Sequence, residues 1–158
     1  MIKTAILTVS DSCAAGRRRD ISAQTIADML PEDEFEICQR KTVPDDTDSI
    51  TAELKRLCDE VHPDILFTTG GTGFGPRDVT PEATISVCER LVPGISEIIR
   101  AKGWEKTKRA VLSRGMAGIR EKTLVINLPG SPKGAKESLQ IILDVLGHAT
   151  DMLRGGGH

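Results

Sequence analysis

The chain has 158 residues, 39% hydrophobic and 28% charged, with a formal net charge of −2 and a pI near 5.9. That length fits one domain with a proper core and no need of staples. The charge balance excludes an electrostatic footprint for duplex nucleic acid, and three Phe, one Trp and no Tyr leave little for base stacking.

Ala5-Ile6-Leu7-Thr8-Val9 is a short β-branched run that reads as a buried strand. The chain passes from Met1 straight into it, so no signal peptide is expected. Ser10-Asp11-Ser12 ends the strand, and a polar loop carrying Arg17-Arg18-Arg19 follows. A helix is predicted over Ile21–Leu30, with Asp20 or Ser22 as its cap and Pro31 as its stop. Phe35–Val43 reads as a second strand, half-exposed near a sheet edge because Phe35, Ile37 and Gln39 alternate. Pro44-Asp45-Asp46-Thr47 breaks the chain before Ile50, Leu54, Leu57, Cys58 and Val61 recur at helical spacing. Ile65–Thr69 is the third strand. Beyond a glycine-rich loop, Pro81–Leu91 and Ile95–Lys102 read as helices and Lys106–Arg114 as a weaker one. Met116–Arg120 and Leu124–Leu128 fit a strand pair around Glu121-Lys122. Pro132–Leu153 is a long final helix with Gly147 as a candidate break, and 155–158 should fray.

Strands alternating with helices predict one α/β domain over residues 1–154, its sheet covered on both faces. In such sheets ligands bind beyond the carboxyl ends of the parallel strands. The loops at Ser10–Ser12, Pro44–Thr47, Gly70–Thr80 and Pro129–Lys133 would then rim one edge. Cys13, Cys38, Cys58 and Cys88 contain no C-x-x-C pair, and His62, His148 and His158 are equally scattered, so zinc-ligand spacing is absent. The cysteines are expected to be reduced thiols. With no apolar run of ~18 residues, no membrane span is expected and the cytoplasm is the default compartment.

The most informative stretch is Thr68-Thr69-Gly70-Gly71-Thr72-Gly73-Phe74-Gly75-Pro76-Arg77-Asp78-Val79-Thr80-Pro81-Glu82. Strand, glycine loop and helix start together suit a phosphate. Neither G-x-x-x-x-G-K-[ST] nor G-x-G-x-x-G is matched, so neither motif is claimed. The bland alternative is a tight turn with no ligand. Thr80 reads as an N-cap with Pro81 at the first helical position. Ser131 caps the last helix, which puts Lys133 in the first turn, against the helix dipole unless an anion binds there. Asp45 and Asp46 can hardly both cap one helix, and Asp78 precedes the better cap Thr80. Asp78 and one of the Asp45/Asp46 pair are therefore candidates to hold Mg²⁺ beside a phosphate. Arg77 would pair with Asp78 if the pair is merely structural.

Thr68–Gly73 with Arg77-Asp78-Val79-Thr80-Pro81-Glu82-Ala83, then Ser113-Arg114, then Asn127-Leu128-Pro129-Gly130-Ser131-Pro132-Lys133, resembles the MogA/MoaB family of molybdenum cofactor biosynthesis. The resemblance covers essentially the whole chain, and Arg77–Pro81 is more similar to the MogA and gephyrin G-domain branch than to the MoaB branch. It implies a three-layer α/β/α sandwich with a mostly parallel central sheet, usually assembled as a homotrimer. It implies the adenylylation of molybdopterin by ATP with release of pyrophosphate, dependent on Mg²⁺. The family's functional aspartates map onto Asp45 and Asp78, as catalytic residues and metal ligands. Ser10, Asp11, Gly70, Gly71, Thr72, Gly73, Pro129, Gly130, Ser131 and Lys133 map onto substrate-binding segments. A molybdate-inserting protein of the same pathway is the implied downstream partner. The alternative is a MoaB-like molybdopterin-binding or assembly module without catalysis.

Overall fold

The computed structural model describes residues 1–156. The chain runs β1 (Ile2–Val9), α1 (Asp11–Ala14), α2 (Ile21–Met29), β2 (Phe35–Val43) and α3 (Thr47–Arg56), which a π-helical turn extends over Leu57–Val61. There follow β3 (Ile65–Thr69), α4 (Thr80–Val87), β4 (Arg90–Leu91), α5 (Pro93–Lys106) and a 3₁₀ turn over Lys108–Leu112. β5 (Ala117–Arg120), β6 (Thr123–Leu128) and α6 (Pro132–Leu153) complete it.

The six strands form one sheet in the order β2-β1-β3-β6-β5-β4. β2, β1, β3 and β6 are mutually parallel; β5 runs antiparallel to β6, and β4 antiparallel to β5. The chain leaves β1 to add β2 on one side and then returns to add β3 on the other, so the strand order reverses between β1 and β3. Alternate strand residues face two separate cores. Ile6, Phe67, Ile126 and Leu128 pack under α2, α5 and α6, through Ile26, Ile99, Leu139, Ile142 and Leu146. Ala5, Leu7, Leu66 and Val125 pack under α3 and α4, through Ile50, Leu54, Ala83 and Val87. This is the expected three-layer α/β/α sandwich, and the near-continuous apolar strands are what burial on both faces demands. No described helix is long and apolar enough to cross a membrane.

Several elements depart from expectation for identifiable reasons. The helix expected to reach Leu91 stops at Val87, because Glu89 donates its amide to Ile119 and Arg90-Leu91 pairs with β5. Lys106–Arg114 contributes only a short 3₁₀ turn after Thr107, an extended residue whose hydroxyl accepts from the Arg109 amide. In β2 a bulge between the partners of Thr4 and Ala5 lets Cys38 slip out of register, breaking the alternation of that edge strand. Gly147 does not break α6. The glycine costs about 0.5–1 kcal/mol there, but burial of Ala135, Leu139, Ile142 and Leu146 outweighs it. Gly155, at φ +85°, and Gly156 close α6 by donating to Met152 and Asp151. Of the tail expected to fray, 157–158 lie outside the described residues.

Candidate active site

All four parallel strands point their carboxyl ends at one edge, so the four candidate loops meet there. A cavity of about 380 Å³ opens at the reversal between β1 and β3. Ser10, Asp45, Gly70, Gly71, Asp78, Gly130 and Ser131 line it.

The glycine loop is fixed from three directions. Gly70 has φ +106°, and a Cβ there would meet the Val9 carbonyl oxygen at 2.2 Å. Gly71 has φ +69°, and its Cβ would meet Thr80 Oγ1 at 2.3 Å. Both positions therefore require glycine on conformation and on space. Thr80 was expected to cap α4, but it is the first residue of that helix, and Val79 stands at the N-cap with no side-chain bond. The Thr80 hydroxyl instead donates to the Gly70 carbonyl at 2.9 Å, and its amide donates to Gly71. Arg114 then ties the far side of the loop, donating to the carbonyls of Gly73 (2.8 Å) and Asp78 (2.7 Å) and pairing with Glu82. The Gly70 amide is spent on Leu128, whereas those of Gly71, Thr72 and Gly73 donate to no protein group among the described residues.

The carboxylates separate cleanly. Asp46 caps α3: its oxygens accept from the Ser49 amide at 2.9 Å and from the Ser49 hydroxyl at 2.7 Å. Asp45 is left to face the cavity. Its Oδ2 accepts from the Asp11 amide at 2.8 Å, and the Asp45 amide donates to Asp11 Oδ1 at 3.0 Å. Arg77 does not form the merely structural pair with Asp78; it reaches across to grip both oxygens of Asp11, at 2.6 and 2.9 Å. Asp11 thus lines neither of the two cavities near this edge and stands behind Asp45. The Arg77 guanidinium holds the Asp11 carboxyl below the usual range. Burial pushes the Asp45 carboxyl above it, and the nearby charges of Asp11 and Asp78 push the same way. Asp78 Oδ2 accepts from the Gly75 amide at 2.8 Å.

The remaining candidates fall on the other side of a thin wall. Thr72, Gly73, Pro129 and Lys133 line a second cavity of about 690 Å³, walled by Phe74, Leu112 and Ile141. Ser131 borders both cavities. Its hydroxyl accepts from the Gly134 amide at 3.0 Å and so caps α6. Ser22 braces the wall by donating to the Gly130 carbonyl at 2.6 Å. Sequence reasoning did not place Cys13, Arg18, Arg19, Asp20 and Ser22 on the first cavity. The one available signal was the arginine run in a loop leaving a strand's carboxyl end.

The donor set fits a magnesium ion. Asp45 and Asp78 face the same cavity, and no group of three His, Cys, Asp or Glu that would hold a metal occurs among the described residues. Mg²⁺ is commonly held by one or two carboxylates and completes its shell with water and substrate phosphates, so two carboxylates are the right number. The cavity's charges agree: Asp20, Asp45 and Asp78 against Arg18 and Arg19 leave it acidic, unsuited to a polyphosphate without a cation.

Fold and site together define an α/β protein with a mostly parallel sheet and a cavity at the strand-order reversal. The family model described as "probable molybdopterin binding domain" matches residues 5–148. Molybdopterin adenylyltransferase from Helicobacter pylori (strain ATCC 700392 / 26695) is 38% identical over 156 residues, covering 98% of this chain and 89% of that protein. The crystal structure of the molybdopterin biosynthesis enzyme MoaB from Thermus thermophilus is similar at TM-score 0.93 and 46% identity, covering 98% of each chain. A structure of MogA is similar at TM-score 0.90 and 37% identity, covering 96% of this chain and 99% of that one. The chain belongs to the MogA/MoaB family of molybdenum cofactor biosynthesis.

Proposed function

We propose that this protein is a molybdopterin adenylyltransferase, moving AMP from ATP to the terminal phosphate of molybdopterin with release of pyrophosphate. The observation that carries the reading is the meeting of Asp45, Asp78 and the glycine loop on one cavity, in a chain whose relatives bear that name. The two cavities sharing the Ser131 wall give room for two substrates side by side.

The nucleophile would be a phosphate monoester, whose second pKa of about 6 leaves it largely ionised at neutral pH. No general base is required, so Asp45 and Asp78 act on position and charge. They would hold Mg²⁺, which when bound neutralises the triphosphate and favours attack at the α-phosphorus. The amides of Gly71, Thr72 and Gly73 would receive phosphoryl oxygens. Asp11 works through Asp45, fixing its carboxylate by the reciprocal pair of hydrogen bonds while Arg77 holds Asp11 in turn. Ser131 and Lys133 would steady the anionic part of the second substrate. Self-association as a homotrimer is supported by exposed apolar side chains on α5 and the turn after it: Ile98, Trp104, Val111 and Leu112.

The test is pyrophosphate release from ATP and Mg²⁺, with and without molybdopterin. Release that requires molybdopterin is expected. Tight molybdopterin binding with no release would make the protein a binding module.

A further inference from the structure

Arg17-Arg18-Arg19 stands out in the sequence, and the reaction as described leaves it without a part. The fold gives its members unequal positions. Arg18 and Arg19 line the cavity that holds Asp45 and Asp78, whereas Arg17 does not. Arg56, Arg77, Arg114, Arg120 and Arg154 each face a carboxylate. Among the described residues, neither Arg18 nor Arg19 pairs with one. Asp20 adjoins them, but its oxygens accept from the Ala23 amide at 3.0 Å and the Thr8 hydroxyl at 2.5 Å.

The cavity is also polarised by the layers of the fold. Asp45 leads into α3 and Asp78 into α4, the helices over one face of the sheet. Arg18 and Arg19 lead into α2, which packs beside α6 over the other face. A polyanion spanning the strand ends thus has the Asp45 and Asp78 loops on one side and the exposed Arg18-Arg19 loop on the other. Guanidinium suits phosphate because its fork of N–H donors matches two phosphoryl oxygens at once.

We propose that Arg18 and Arg19 form a phosphate clamp, holding a phosphoryl group of substrate on the side of the cavity away from Asp45 and Asp78. The clamp rests on the adenylyltransferase reading for its substrates, and two sources share its chemistry: the departing pyrophosphate of ATP and the monophosphate of molybdopterin. Both arginines are positioning residues that bind rather than react.

The test compares wild type with Arg18→Ala/Arg19→Ala, Arg18→Lys/Arg19→Lys and Arg17→Ala. Steady-state kinetics are run in each substrate, and calorimetry measures Mg²⁺-pyrophosphate and Mg²⁺-ATP binding. Loss of a charge-assisted contact predicts that the double alanine variant raises one KM by about 10- to 100-fold with a much smaller change in kcat. The double lysine variant should recover part of it, and Arg17→Ala should match wild type. A rise in the KM for ATP, with weaker pyrophosphate binding, assigns the clamp to the leaving group. A rise in the KM for molybdopterin alone assigns it to the pterin phosphate. Unchanged KM values and pyrophosphate affinity in the double alanine variant would overturn the clamp, as would an equal loss in Arg17→Ala. Should wild type release no pyrophosphate, the adenylyltransferase reading fails by itself, and calorimetry extended to molybdopterin still decides the clamp: unaltered affinities of the double alanine variant for Mg²⁺-pyrophosphate, Mg²⁺-ATP and molybdopterin together overturn it.

Discussion

Asp45 is held against its own preference. Burial and two neighbouring carboxylates disfavour its charge, and the Asp11 amide only partly offsets them. A carboxyl raised above its unfolded value of about 3.9 binds its proton more tightly when folded. Folding therefore gains as pH falls through that interval and loses the gain as pH rises again. Asp45→Asn keeps an oxygen to accept from the Asp11 amide but removes the charge. Its thermal midpoint at neutral pH is expected to equal or exceed that of wild type while turnover is lost; a clear drop in midpoint would show that Asp45 is structural. Asp78→Asn should likewise lose turnover while ATP and molybdopterin still bind, and normal pyrophosphate release by it at saturating ATP and Mg²⁺ would remove Asp78 from the chemistry. Residue types and spacing made the candidate pair Asp45/Asp46 legible but not the choice between them, which only the family resemblance made, for Asp45. Both precede a helix, and only the turn of the backbone decides which carboxylate reaches the Ser49 amide. The partner of Arg77 was not legible for a similar reason: its neighbour in sequence is Asp78, yet its guanidinium spans to Asp11, 66 positions away.

The elements around the site are pinned by a few polar contacts that periodicity cannot show. The buried Asn127 donates to the Thr68 and Thr84 hydroxyls, both at 2.9 Å, and accepts from the Met116 amide at 3.1 Å, locking β6 to β3 and α4 where the Pro129–Ser131 wall begins. Thr80 does the same for the glycine loop. Long apolar strands and α6 were readable because their burial repeats along the chain. β4, with only Arg90-Leu91 and both residues exposed, carries no such pattern and exists by pairing with β5. The two glycines of the loop should differ on substitution. Gly70→Ala would drive its Cβ into the Val9 backbone, whereas Gly71→Ala would meet the Thr80 side chain. Each costs roughly 1–2 kcal/mol for a positive φ. The backbone clash should make Gly70→Ala the more destabilising by denaturant titration; the reverse order would contradict this account of the loop.

At the scale of the molecule, a three-layer sandwich delivers four loops to one edge and leaves apolar side chains exposed on α5 and the turn after it. Leu112 and Val111 are 50% and 51% exposed. If these side chains join subunits, Val111→Asp should shift light scattering from trimer toward monomer at equal concentration; a wild type that is already monomeric would contradict the assembly. Composition and strand–helix alternation made the sandwich legible, whereas the division of the site into an acidic and a basic side depends on which helical layer each loop enters. With ATP as the proposed adenylyl donor, the bond broken lies between the α- and β-phosphates. The most direct test supplies ATP labelled at the α-phosphorus and, in parallel, at the γ-phosphorus, together with molybdopterin and Mg²⁺. Adenylyl transfer moves the α-label to the pterin and releases the γ-label as pyrophosphate. Transfer of the γ-label to the pterin, or of neither label while molybdopterin binds, would contradict it.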